Sequence, residues 1–219
     1  MVALTESNVG KALEWAYEKA INGIPGSDTA AELAESYIRK HTSMDAAINS
    51  LINYQITKCA TSGFITGLGG VVTMPVTIPA NIASVMYVQM RMVAAIAHMR
   101  GFDLKDDQVQ TFVYACLTGQ TVNEVVKSAG IKIGLKVGEA QIKRIPGEVI
   151  KKINQAVGFR LVTKFGQKGV INLGKMVPLI GGVIGGSFDA VTTKTIAQAA
   201  RNSFKEGGYN KGEIIIDMV

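Results

Sequence analysis

CATSGFITGLGGVVTMPVTIPANIASVMYVQM, residues 59–90, runs for 32 positions without an Asp, Glu, Lys or Arg. An uncharged stretch of that length is either a deeply buried core element or something that meets lipid. A transmembrane helix needs about 20 apolar residues, so length alone permits a span. Composition argues against one. Gly63, Gly67, Gly69 and Gly70 crowd the first half, and Pro75 and Pro79 divide the run. Proline lacks the amide donor and clashes with the preceding turn, so one straight helix is not expected. The expected form is a short Gly-rich helix, a joint at 73–78, and a second helix opened by Pro79 at its first position.

Outward from this run, helix signals dominate. Thr5 or Ser7 opens an amphipathic stretch (Val9, Leu13, Ala16, Ala20) that stops at Gly23 and Pro25. Thr29 and Glu32 have capping-box spacing before a second helix reaching about His41. Ser43 caps a third, with Met44, Ala47, Ile48, Leu51, Ile52 and Ile56 recurring at three and four. Gly101 closes the helix from Pro79, and Asp103 starts the next. A glycine-interrupted basic helix is expected over 130–146, a short one over 147–158, and a last strong one from Pro178 to about Phe204. EIIID at 213–217 reads as one short C-terminal strand or as a tail. The fold class is therefore all-α, a compact multi-helix bundle with a Gly/Pro-interrupted apolar helical hairpin. Nothing in 219 residues calls for two domains.

Mean hydropathy is +0.23, with 47% hydrophobic and 18% charged residues. That is greasy, yet far from a multi-span channel. The net charge of +6 is unevenly spread. Residues 127–168 hold ten basic side chains against Glu139 and Glu148, a local +8. They include Lys136, Lys143, Arg144, Lys151, Lys152, Arg160 and Lys164. Such a block attracts polyanions, whether phosphorylated lipid head groups or nucleic acid. The plain alternative is a solvated face on apolar helices. Nucleic acid is set aside: only Phe159 and Phe165 are aromatic there, and no recognition motif accompanies the charge.

Cys59 and Cys116 lie in apolar helical patterns and read as small buried hydrophobes of a reducing compartment. MVALTESNVGKALEW has neither a basic n-region nor an apolar h-region, so the expected location is cytoplasmic. Chemistry-bearing motifs are thin. Gly169 to Lys175 matches G-x-x-x-x-G-K, but Met176 stands where a phosphate loop needs Ser or Thr, and no buried strand leads in. Neither His41 nor His98 has zinc-ligand spacing around it, and no G-x-S-x-G elbow exists. No cofactor, metal or catalytic residue is assigned. Gly181, Gly182, Gly185 and Gly186 give small-xxx-small spacings, suited to a close internal helix crossing or to an oligomer face.

Polar residues in the greasy helices are more telling. From Pro79 onward, Ser84, Tyr87, Arg91 and His98 share one helix face, while Gln89 falls on the apolar side. A buried Gln or Arg must be hydrogen-bonded, at a cost of about 1–3 kcal/mol for an unpaired amide. Glu124 and Asp189 are the candidate partners. Two readings stay open: a polar pocket of Asn81, Gln89, Arg91, Glu124, Lys175 and Asp189 that grips a head group, or a buried ion-pair network that fixes register.

GFITGLGGVVTMPVTIPANIASVMYVQMRMVAAIAHMRGFDLKDDQVQTFVYACLTG, together with GFRLVTKFGQKGVINLGKMVPLIGGVIGGSFDAVTTKTIAQAARNSF, resembles the EcsC protein family of bacteria over about residues 45–205. The matching positions are Pro79, Asn81, Gln89, Arg91, Asp103, Asp107, Lys164, Asn172, Lys175, Gly181, Gly182 and Asp189. The resemblance implies an all-α protein, linked by context to membranes and to an ABC transporter operon, without an established reaction. It divides the chain into a helical lead-in at 1–42, a family core at 43–205 and a tail at 206–219.

The expectation is a non-enzymatic protein at the cytoplasmic face of the membrane. The apolar hairpin of 63–99 and the Gly-rich 178–188 segment would offer hydrophobic surface, and the basic segment would attract anionic lipid. The rivals are an enzyme acting on a lipid or small phosphorylated substrate through Arg91, Lys175 and Asp189, and an adaptor for a transporter or other membrane protein.

Overall fold

Capping chemistry decides where the first helices begin. In this computed structural model the described residues are 5–60, 80–128, 131–133, 145–165, 184–204 and 216–218. Of these, 58–60, 80–82, 131–133, 164–165, 184–189 and 216–218 are placed by their backbone. Helix α1 spans Glu6–Asn22, with Thr5 extended and its hydroxyl accepting from the Asn8 amide at 3.2 Å. It stops at Gly23, whose φ of +82° favours glycine; a Cβ there would also press on Thr29 Cγ2 at 3.2 Å. Helix α2, Ala30–Ile38, carries the full capping box of Thr29 and Glu32. Helix α3, Met44–Ala60, starts with the Ser43 hydroxyl accepting from the Ala46 amide. Helix α4 is Ala80–Met99 and ends before Gly101, at φ +85°.

Then come α5 (Asp107–Leu117), α6 (Val122–Ser128), strand β1 (Ile131–Ile133), α7 (Gly147–Phe165), α8 (Ile184–Ser203) and strand β2 (Ile216–Met218). The strands pair antiparallel, Ile131 opposite Met218. The all-α bundle is the observed architecture, with this three-residue ribbon at its margin.

Helix α4 is the axis of the core. Every residue from Met86 to Ala97 is buried, and the helix packs against α1, α2, α3, α5 and α8. A helix that is apolar all round belongs inside. Full burial of Met90, Met92 and Ile96 contributes about 1.5–3 kcal/mol each. This described half of the hairpin is therefore spent on internal packing, not on lipid-facing surface; its first half, 63–79, lies outside the described residues. No described helix is long and apolar enough to cross a membrane.

Helices α1 and α2 close the bundle on one side. The Tyr17 hydroxyl donates to the Leu104 carbonyl at 2.8 Å, and its ring meets Tyr114 edge-on at 5.7 Å. Phe102 and Phe204 make a T-shaped pair at 4.9 Å, joining the exit of α4 to the end of α8.

Three boundaries differ from expectation. Helix α5 begins at Asp107 because Asp103 makes a turn of its own, its carboxylate accepting from the Lys105 amide at 2.9 Å. Residues 131–133 are strand rather than helix, consistent with the β-branched Ile131 and Ile133 pairing with the C-terminal segment. Helix α7 continues to Phe165, past the expected stop at 158, because Val149, Ile153, Val157 and Leu161 repeat at four and all are buried. Gly158 lies inside it with open space around a hypothetical Cβ.

Candidate functional site

The shared face of α4 exists as its spacing indicates, and it is occupied by the chain itself. Arg91, 5% exposed, donates through Nη1 to the Ser27 hydroxyl and to the Asp28 carbonyl at 3.0 Å. Its guanidinium lies over the Tyr87 ring at 5.5 Å, a cation–π contact. The Tyr87 hydroxyl also reaches Ser27, at 3.4 Å. One turn-pair further, His98 Nε2 sits 3.6 Å from a Glu35 carboxylate oxygen. This face thus anchors the α1–α2 turn and α2. Neutral oxygens of the turn, not a carboxylate, take the Arg91 Nη1 bonds, while its buried Nε has no partner among the described residues.

Gln89 points the other way. At 2% exposure, its Nε2 donates to Thr193 Oγ1 of α8 at 3.1 Å. Thr193 is a buried partner that the sequence reading missed; its place at a core position of α8 was the available signal. Gln55, fully buried on α3, was missed as well, and neither of its amide atoms has a partner among the described residues.

Glu124 is not a partner of Gln89 or Arg91. It is exposed at the start of α6, where its carboxylate accepts from the Thr121 amide at 2.7 Å and hydroxyl at 2.8 Å. The Thr121 backbone bond, more than any other influence, holds its carboxyl below the usual range. Thr121-x-x-Glu124 is a capping box, and that signature was legible. Asn81 and Asp189 are placed on the backbones of α4 and α8. Lys175 and the side chains of Asn81 and Asp189 lie outside the described residues, so of the expected six-residue pocket only Gln89, Arg91 and Glu124 are placed with their contacts. Cys116 is buried, and burial pushes its thiol up to about 12.

The outward side of α7 is different. Glu148, Lys151, Lys152, Gln155, Phe159 and Thr163 are exposed on the side opposite Val149, Ile153, Val157 and Leu161. Phe159 is 63% exposed, a large ring on the outward side of α7. Arg160, half-buried, makes no hydrogen bond or ion pair with the described residues; its charge is the weakest of the influences that lower the Glu124 carboxyl. Lys164 continues the helix. Lys136, Lys143 and Arg144, together with Gly181 and Gly182, lie outside the described residues, while Gly185 and Gly186 fall in the first turn of α8.

Beside Phe159 and Arg160 opens a cavity of about 610 Å³, bounded also by Thr118, Gln120, Ser128 and Thr163. Its far wall is the α5–α6 turn. Gly119 in that turn takes φ +81°, and a Cβ would press on Thr195 Cγ2 of α8 at 3.2 Å. Glycine therefore fixes where Thr118 and Gln120 stand.

With fold and geometry in place, the comparisons add one positive finding. The model of the EcsC protein family matches residues 6–206. The chain belongs to the EcsC protein family. The match begins at α1, so the two N-terminal helices are part of the EcsC unit, as their packing on α4 requires. No curated protein and no solved structure matches the chain. Among the described residues no group of three His, Cys, Asp or Glu side chains is arranged to hold a metal.

Proposed function

We propose that this EcsC chain is a non-enzymatic protein that attaches to the anionic inner surface of the cell membrane, with the outward side of α7 as the contact. The observation that carries the reading is Phe159, 63% exposed on the same outward side as Lys151 and Lys152 and followed by Arg160, on a helix otherwise anchored by its apolar side. A basic helix face with a protruding aromatic suits a charged interface: the cations are drawn to anionic head groups and the ring enters the boundary layer. Each basic residue near such a surface adds about 1 kcal/mol. Lys136, Lys143, Arg144 and Lys164 extend the same charge along the sequence. A transporter or other membrane partner is compatible with this attachment and is not required by it.

The test is flotation of the purified chain with vesicles after substituting Lys151, Lys152 and Arg160 with Glu together. Binding to anionic vesicles should be lost while the helical circular dichroism signal stays unchanged. Undiminished binding by the triple variant would contradict the proposal.

A further inference from the structure

The geometry points to the cavity beside Arg160 as a binding site for a phosphorylated polyol, the head-group chemistry that would meet it if α7 faces a bilayer; the inference rests on that reading for its lipid source. The pattern of donors and acceptors selects the ligand class. Thr118, Ser128 and Thr163 each donate their hydroxyl proton to a backbone carbonyl, of Ala115 at 2.7 Å, Val125 at 2.6 Å and Phe159 at 3.0 Å. A hydroxyl has one proton and two lone pairs, so all three are left as acceptors. Gln120 lines the cavity, and its buried Oε1 has no donor among the described residues. Among the described residues the charged donor that faces these acceptors is the Arg160 guanidinium, whose planar fork suits phosphate.

A ligand that satisfies such a wall carries one anion and several hydroxyl groups. A bare phosphate monoester would engage Arg160 and present only further acceptors to the rest. A cationic head group would sit against the guanidinium. A phosphorylated polyol meets both demands. The volume of about 610 Å³ is ample for a glycerol phosphate unit. Phe159 at the rim offers an apolar surface to whatever the polyol is attached to.

The experiment compares flotation of the full chain with phosphatidylcholine vesicles carrying phosphatidylglycerol or phosphatidic acid at matched surface charge. Calorimetric titration with soluble glycerol 1-phosphate forms the second arm. The expected result is about tenfold tighter binding to phosphatidylglycerol, the size of one or two neutral hydrogen bonds. Gln120→Leu should bring the two lipids level without weakening attachment to phosphatidic acid. If that variant loses its fold by circular dichroism, the exposed Thr163→Val replaces it in the same comparison. Glycerol 1-phosphate binding that the variant abolishes, without lipid preference, would keep the site and make its ligand a soluble metabolite. Equal binding to both lipids, with no variant-sensitive titration, would overturn the site and leave surface attachment standing. Absence of vesicle binding with a variant-sensitive titration would instead overturn the attachment and retain the site.

Discussion

Arg91 and Arg160 are both helical arginines beside an aromatic ring, and the fold treats them oppositely. Arg91 lies over Tyr87, is almost wholly buried, and gives its donors to Ser27 and Asp28 of the turn before α2. Arg160 follows Phe159 on the outward side of α7 and gives no hydrogen bond to the described residues. The first is consumed in holding the protein together. The second has no hydrogen bond or ion pair among the described residues. That contrast separates structural from functional polarity better than residue type does. Buried polar groups must find partners within the fold, because an unsatisfied one is costly, whereas a solvated group can wait for a ligand.

The contrast breaks most visibly under charge reversal. Lys151→Glu, Lys152→Glu and Arg160→Glu combined should weaken binding to anionic vesicles by about 3 kcal/mol or more, over a hundredfold. Thermal stability should move little, because exposed substitutions usually stay within about 0.5 kcal/mol each. Arg91→Ala is the mirror experiment. It removes two charge-assisted hydrogen bonds and the stacking on Tyr87, so about 3 kcal/mol should go. For a chain of this size that is a fall of roughly 9 °C in Tm, with vesicle binding by the folded fraction unchanged. A loss of binding without a loss of stability in Arg91→Ala would place Arg91 in a ligand site after all.

The Gln89–Thr193 bond sharpens the same point inside the core. Thr193→Val leaves the Gln89 amide without its acceptor and should cost about 2 kcal/mol in chemical denaturation. Adding Gln89→Leu removes the stranded donor, and the double variant should recover most of that loss. Strict additivity of the two would mean that the bond contributes nothing.

The smallest expected effect is at Glu124. Its carboxyl titrates below the usual value of 4.5 in the folded chain, chiefly because the Thr121 amide bonds the charged form. A depressed folded value means the stabilisation is complete above about 4.5 and fades as the pH falls through the lower folded value. Exposure and solvent screening hold the contribution to no more than about 0.5 kcal/mol. The stability gap between the wild type and Glu124→Gln, followed by urea titration, should therefore close on acidification and stay constant from pH 6 to 8.

Much of this was legible in the sequence, and for local reasons. Thr5, Thr29 and Ser43 announce their helices because an N-cap hydroxyl satisfies amides three residues away, a distance the chain itself fixes. The face of Tyr87, Arg91 and His98 follows from helical period alone. Its partners do not. Ser27 lies 64 residues from Arg91, and Thr193 lies 104 from Gln89, so nothing in the spacing points to either. Of the two acidic residues that charge alone offers as partners, Glu124 caps α6 instead, and the side chain of Asp189 lies outside the described residues. Helix α7 outruns the expected 147–158 because the buried repeat through Leu161 carries it on to Phe165. The cavity beside Arg160 joins the α5–α6 turn to α7 across about 40 positions, which only packing can bring together.

The central claim is that α7 attaches the chain to anionic membrane, and flotation of the wild-type protein with neutral and anionic vesicles at low and high salt tests it most directly. Binding confined to anionic vesicles and reversed by salt, as screening over a Debye length of about 10 Å at 0.1 M requires, is the expected result. Equal binding to neutral vesicles, or none to either, would contradict it.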